Sequence, residues 1–159
     1  MLKYCLKKWD AHKGELERVL RTSTKMNECD YVDLVKLVVK HILNNDDEKW
    51  TDAWDHERIT VVDDGNYQGT QLFLIPRGRY QPCEFDYLMT FVDYGSCSGC
   101  DTLQGIQSYG NGVLTDRQVK DFMALCKDLV TNMIKPYNCG WRNEEEFEQV
   151  EMDGGVGNG

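Results

Sequence analysis

The chain of 159 residues is notable first for what it lacks. No run of 18 apolar residues occurs, so no segment is predicted to span a membrane as a helix. The opening stretch "MLKYCLKKWDAHKGEL" has lysines but neither an apolar core region nor a small-residue cleavage site, so no secretory signal is expected. There are three histidines, His12, His41 and His56, and none follows the "SCSG" of residues 96–99. With the Gly-x-Ser-x-Gly elbow also missing, that segment is not read as a serine or cysteine nucleophile with a histidine base. No loop has the pattern that cradles phosphate, and no internal repeat is present. A second Cys-x-x-Cys and paired histidines are absent too, which removes the common zinc-finger spacings.

What is present suits one soluble domain. The hydrophobic fraction is 41%, enough for a core at this length. Mean hydropathy is −0.56. The seven cysteines, an odd number in a chain with no expected export signal, argue for reduced thiols in a cytosol rather than a disulfide framework.

The net charge of −9 is unevenly placed. Residues 1–25 carry seven Lys/Arg against three Asp/Glu, whereas residues 46–64 carry eight acids against Lys49 and Arg58. Residues 144–153 hold six acids and no base. Duplex DNA would be repelled by such a surface, so no direct nucleic-acid binding is expected. A basic partner is the better match, although acidic surfaces also serve solubility alone.

Hydrophobic spacing predicts a helix over 2–21 through Leu2, Leu6, Trp9, Leu16, Val19 and Leu20. A second is predicted over 31–43, capped by Asp30 and ended by Asn44–Asn45, with Leu34, Leu37, Val38, His41 and Ile42 on one face. His41 reads as a core histidine rather than a catalyst. Trp50 and Trp54 either share a short helical face or anchor a loop. The period then changes to alternation. "ERITVVDD", "TQLFLIP" and "EFDYLMTFVDY" read as three strands of an antiparallel meander, the third apolar on both faces and so central or doubly covered. Thr115 and Gln118 fit a capping box for a last helix, stopped by Pro136. The expected fold is α+β, a three-stranded meander packed with about three helices. Residues 1–142 form the domain and 143–159 an acidic, mobile tail.

A meander puts the turn after its first strand at the same end as the exit of its third. Cys97 and Cys100, spaced as half a zinc knuckle, should therefore emerge beside Asp63 and Asp64. Asp64 and Asp93 are the candidate further ligands. His56 and Cys83 belong at the far end, Cys126 reads as core, and Cys139 is free to reach in. Three readings of the pair stay open: a metal site, a redox dithiol, and two thiols that merely fit a turn. Asp63–Asp64 before "GNYQG" is read as hairpin chemistry rather than a Ca²⁺ or Mg²⁺ loop.

The combination "DDGNYQGTQLFLIP" and "YLMTFVDYGSCSGCDTLQGI" resembles a family of small phage and prophage proteins, over residues 56–106. In size, charge, cysteine content and setting, the chain is also similar to zinc-containing streptococcal-phage anti-CRISPR inhibitors of a type II-A Cas9. That likeness implies a non-enzymatic protein in the cytoplasm of a bacterial host, which binds Cas9 and blocks target-DNA loading. It further implies a structural zinc, with Cys97 and Cys100 as ligands. The channel that holds the guide–target heteroduplex is positively charged. The expected docking face is the acid cluster, with Asp46, Asp47, Glu48, Asp52 and Asp55 as contacts. The rival expectations are an enzyme using Cys97 and Cys100, either a thiol oxidoreductase or a zinc hydrolase, and a non-catalytic phage adaptor.

Overall fold

The computed structural model describes residues 1–44, 53–107 and 112–136. Helix α1 spans Leu2–Thr22, α2 Tyr31–Val38, α3 Thr102–Gln107 and α4 Asp116–Thr131. Strands β1 (Thr60–Asp63), β2 (Gly69–Pro76) and β3 (Tyr87–Tyr94) form an antiparallel sheet in the order β1-β2-β3. The expected α+β meander is therefore present. No helix among the described residues is long and apolar enough to cross a membrane.

Capping fixes where the main helices begin. Asp30 accepts from the Asp33 backbone at 2.9 Å and Asp33 accepts from the Asp30 backbone at 3.1 Å, a reciprocal box at the start of α2. Thr115 and Gln118 form the same arrangement at α4. Beyond Val38 the chain continues as a π-helical turn, Val39–Leu43, and Asn44 ends it. The side chain of Asn44 then clasps the backbone of Trp54, accepting from its N–H at 2.9 Å and donating to its carbonyl at 2.7 Å. Trp54 is buried and carries the Arg77 guanidinium 3.8 Å from its ring centre. It anchors a loop, one of the two roles the sequence allowed; Trp50 lies outside the described residues.

Helix α4 lies between α1 and the sheet. Val119, Phe122, Cys126, Leu129 and Val130 form its buried stripe. Leu16 and Leu20 of α1, with Leu34, Val35 and Val38 of α2, join the same core. Alternation sends Phe73 and Ile75 of β2 and Leu88, Thr90 and Val92 of β3 to this side. Thr90 satisfies its hydroxyl by donating to the Leu129 carbonyl at 2.6 Å.

Three expectations change. The central strand is β2, not β3. β3 buries Leu88, Thr90 and Val92 against the core on one face, and at its free edge the Met89 backbone exchanges two 2.9 Å bonds with Ile134 as the chain returns from α4. In the first turns of α1, Tyr4, Cys5, Lys8 and Trp9 are buried while Leu2 is exposed. In α2 the buried face includes Val35 rather than Leu37, and Val39 and Leu43 follow in the π turn, leaving His41 half-buried beside Glu15. Burial is the larger cause that lowers the His41 pKa, and the positive Lys40 adds to it.

Candidate functional site

The end of the sheet gathers two groups, carboxylates and thiols. Gly69 of β2 pairs with Tyr94 of β3, so the β1–β2 turn and the chain leaving β3 are neighbours, as a meander requires.

The carboxylates are part of the turn. Asp63 accepts from the Gly65 N–H at 2.9 Å, from Gln71 Nε2 at 3.0 Å and from the Tyr94 hydroxyl at 2.6 Å. Asp64 accepts from the Thr70 N–H at 2.6 Å, and the Thr70 hydroxyl donates to Asp93 at 2.7 Å. Gly65 is required here, since a Cβ would run into the carbonyl of Gln68. These contacts bear out the hairpin reading of Asp63–Asp64. The Tyr94 hydrogen bond is the main reason Asp63 titrates below the ordinary carboxyl range. The same bond pushes the Tyr94 phenol up to about 12. Asp63, Asp64 and Asp93 are all exposed.

The thiols sit on a tight turn immediately after β3. Cys100 N–H and Asp101 N–H both donate to the Cys97 carbonyl, at 3.0 and 2.8 Å. The loop is fixed from below by Asp101, which is only 4% exposed. Its carboxylate accepts from the Gly95 N–H at 3.1 Å, from the Gln104 N–H at 2.8 Å and from the Tyr31 hydroxyl at 3.2 Å. Burial is the first cause that pushes the Tyr31 phenol up to about 12, which keeps it a donor. Asp101 thus ties β3, α3 and α2 together. Sequence reasoning passed over this residue. The signal that could have found it is an Asp three residues before Gln104, a cap for the short helix α3. A cleft of about 360 Å³ lies alongside, lined by Tyr31, Val61, Gln71, Tyr94, Asp101 and Gln104 among others.

Within the turn, Cys97 Sγ and Cys100 Sγ are 2.8 Å apart and both residues are exposed. Cys100 Sγ accepts from the Cys97 N–H at 3.1 Å, and the Ser96 hydroxyl is 3.9 Å away. The Cys97 side chain is the leading cause that lowers the Cys100 thiol pKa, and Ser96 and the two backbone groups act in the same direction. Cys126, wholly buried, is pushed up to about 12, and Cys29 likewise, in both cases chiefly by burial.

The predicted ligands are thus only partly brought together. Cys97 and Cys100 meet. Asp64 and Asp93 stay at the hairpin with Thr70, because Asp101 draws the cysteine loop toward α2. Among the described residues, no group of three or more His, Cys, Asp or Glu side chains is arranged to hold a metal ion. A closed structural zinc needs four ligands, and two thiolates on one tetrahedral zinc stand about 3.8 Å apart. The described residues bring together two of those four ligands, Cys97 and Cys100, with their sulfurs 2.8 Å apart. His56 lies by Glu57 in a separate cleft, Cys83 donates to Asp86 at 3.3 Å, and Cys139 is outside the described residues.

Of the predicted docking residues, Asp46, Asp47, Glu48 and Asp52 lie outside the described residues. Asp55 is half-buried and paired with Arg58 at 2.6 Å. Burial raises its pKa, but hydrogen bonds from Arg58 and the Glu57 backbone outweigh this and the net shift is downward.

Comparison with known protein families, with curated proteins and with solved structures returns no match.

Proposed function

We propose that this chain is a phage-encoded binding inhibitor, an anti-CRISPR protein that occupies the basic nucleic-acid channel of a Cas9 nuclease through its acidic surface. The observation that carries this reading is the state of the carboxylates at the sheet end. Among the described residues, Asp63, Asp64 and Asp93 take their hydrogen bonds from uncharged donors, so their negative charge is held in place and left unneutralised. Asp55, by contrast, is already matched by Arg58. Fixed, exposed charges of one sign steer association with a basic cleft and exclude a polyanion from it. The reading stands on charge and needs no metal.

The test is competition. The full chain is titrated into a Cas9–guide complex with a labelled target duplex. DNA loading should fall with dose, and inhibition should weaken as salt rises from about 0.05 to 0.3 M. The triple variant Asp63→Asn, Asp64→Asn, Asp93→Asn removes three charges, keeps one acceptor oxygen at each position, and should inhibit at least about tenfold less well. A full chain that leaves DNA loading unchanged at low salt overturns the reading. A triple variant as potent as the parent removes the sheet end from the docking face.

A further inference from the structure

We propose that Cys97 and Cys100 form an exchangeable dithiol, with Cys100 attacking and Cys97 resolving, that reduces exposed low-molecular-weight disulfides and itself closes to a disulfide. Three observations carry this, and none depends on the binding role above. The sulfurs are 2.8 Å apart on one turn, so closing to a bond of about 2.0 Å asks little of the backbone. The two are chemically unequal. Cys100 Sγ lies 3.1 Å from the Cys97 N–H, which donates to it, 3.4 Å from the Cys97 carbonyl and 3.9 Å from the Ser96 hydroxyl, and the backbone N–H is a donor that a Cys100 thiolate would keep. The loop is also open to solvent, with Ser96, Ser98 and Gly99 all exposed around the sulfurs, which leaves a line of approach for a small disulfide. Neither cleft described above is lined by these thiols, which favours a small reactant over a seated chain.

The chemistry balances without a cofactor. Cys100, having lost its proton to solvent, attacks one sulfur of R–S–S–R. That S–S bond breaks, one RS⁻ leaves and takes up a proton, and Cys100 is joined to the other half. Cys97 then releases its proton, attacks the Cys100 sulfur and displaces the second RS⁻, which is protonated in turn. The small disulfide gains two electrons and two protons, and the protein's dithiol loses them. A dithiol reductant reverses the change by the same route.

The backbone guards this arrangement. A Cβ at Gly95 would run into the Cys100 carbonyl and lie 2.8 Å from Cys100 Sγ, so only glycine lets the chain pass there. Packing of Gly105 in α3 against the Ser98 carbonyl holds the turn from the other side.

The experiment uses the reduced full chain and oxidised glutathione, read by mass spectrometry of the digested protein. The expected product is an internal disulfide in the peptide that carries Cys97 and Cys100, formed at least about tenfold faster than any adduct on exposed Cys83. Cys97→Ser should instead accumulate a glutathione adduct on Cys100, while Cys100→Ser should leave Cys97 about tenfold slower to react than Cys100 in the first variant. Metal analysis and thiol counting run alongside on the untreated protein. Stoichiometric zinc that shields both thiols overturns the proposal. So do separate adducts on the two cysteines with no internal bond, or rates no faster than Cys83.

Discussion

The helical layer and the turn end of the sheet treat polar atoms in opposite ways. Inside the layer, the buried Thr90 and Gln118 are each given a fixed partner. Thr90 donates to the Leu129 carbonyl, and Gln118 donates to the Ile106 carbonyl at 3.0 Å. At the turn end, the carboxylates of Asp63, Asp64 and Asp93 and, apart from them, the thiols of Cys97 and Cys100 stand in water, held by local hydrogen bonds rather than by burial. Burial stabilises the first region, where lost apolar contact is costly. The second contributes little to stability and is free to carry charge and reactive sulfur. Asp101 marks the boundary between them, a buried carboxylate whose partners come from both sides.

The largest effect should come from breaking the layer. Phe122 is fully buried in α4, between the other helices and the sheet. Phe122→Ala should cost about 3–5 kcal/mol in urea unfolding, the sum of lost transfer free energy and an incompletely closed cavity. A loss under about 1 kcal/mol would mean that the layer is not where the stability lies.

Gly95→Ala probes the boundary and should have an intermediate effect. The added methyl meets backbone, which cannot swing aside as a flexible side chain does, so the Cys97–Asp101 turn must shift. Overpacking of this kind costs about 1–3 kcal/mol. Unfolding measurements give that figure, and formation of the internal disulfide should slow in the same variant. Unchanged stability would show that the loop is not braced against the end of β3.

How far these regions were legible follows from the same contrast. Apolar periodicity carried α1, most of α2, α4, β2 and β3, because each buries a face long enough to leave a pattern; β1, exposed at all four residues, was legible from its alternation and the hairpin turn that follows it. The boxes at Asp30 and Thr115 set two helix starts. Short or locally driven features left none. The six residues of α3 hold too few turns for a period. The π turn at Val39–Leu43 changes which residues face inward without changing composition. The apolar faces of β3 gave no hint that Ile134 would bridge Met89 at its edge. At the site, chain order alone put the cysteine loop and the hairpin at one end of the sheet. It did not reveal that Asp101 would turn the thiols toward α2 and away from Asp64 and Asp93, since that depends on Tyr31, 70 residues away in sequence.

The smallest effect, and the finest test of the contrast, is the pH response of the Tyr94–Asp63 pair. Asp63 is exposed and Tyr94 half-buried, and their 2.6 Å hydrogen bond shifts them in opposite directions. Asp63 is lowered, so its contribution is present above the ordinary Asp pKa of about 3.9 and is lost as pH falls through its still lower folded value. Tyr94 is raised, so its contribution is present below the ordinary Tyr value of about 10. It is lost as pH rises through about 12. Tyrosinate absorbance reads the second limb directly. One of the eight tyrosines should titrate late by this mechanism, and Tyr94→Phe should remove that component. Asp63→Asn should return it toward about 10, because a neutral amide oxygen accepts the bond without opposing the phenolate's charge. Tyr31, raised to about 12 by burial, keeps a late component in every variant, so its amplitude is what is read; should neither change reduce that amplitude, the sheet end is a set of independent charges rather than a connected array.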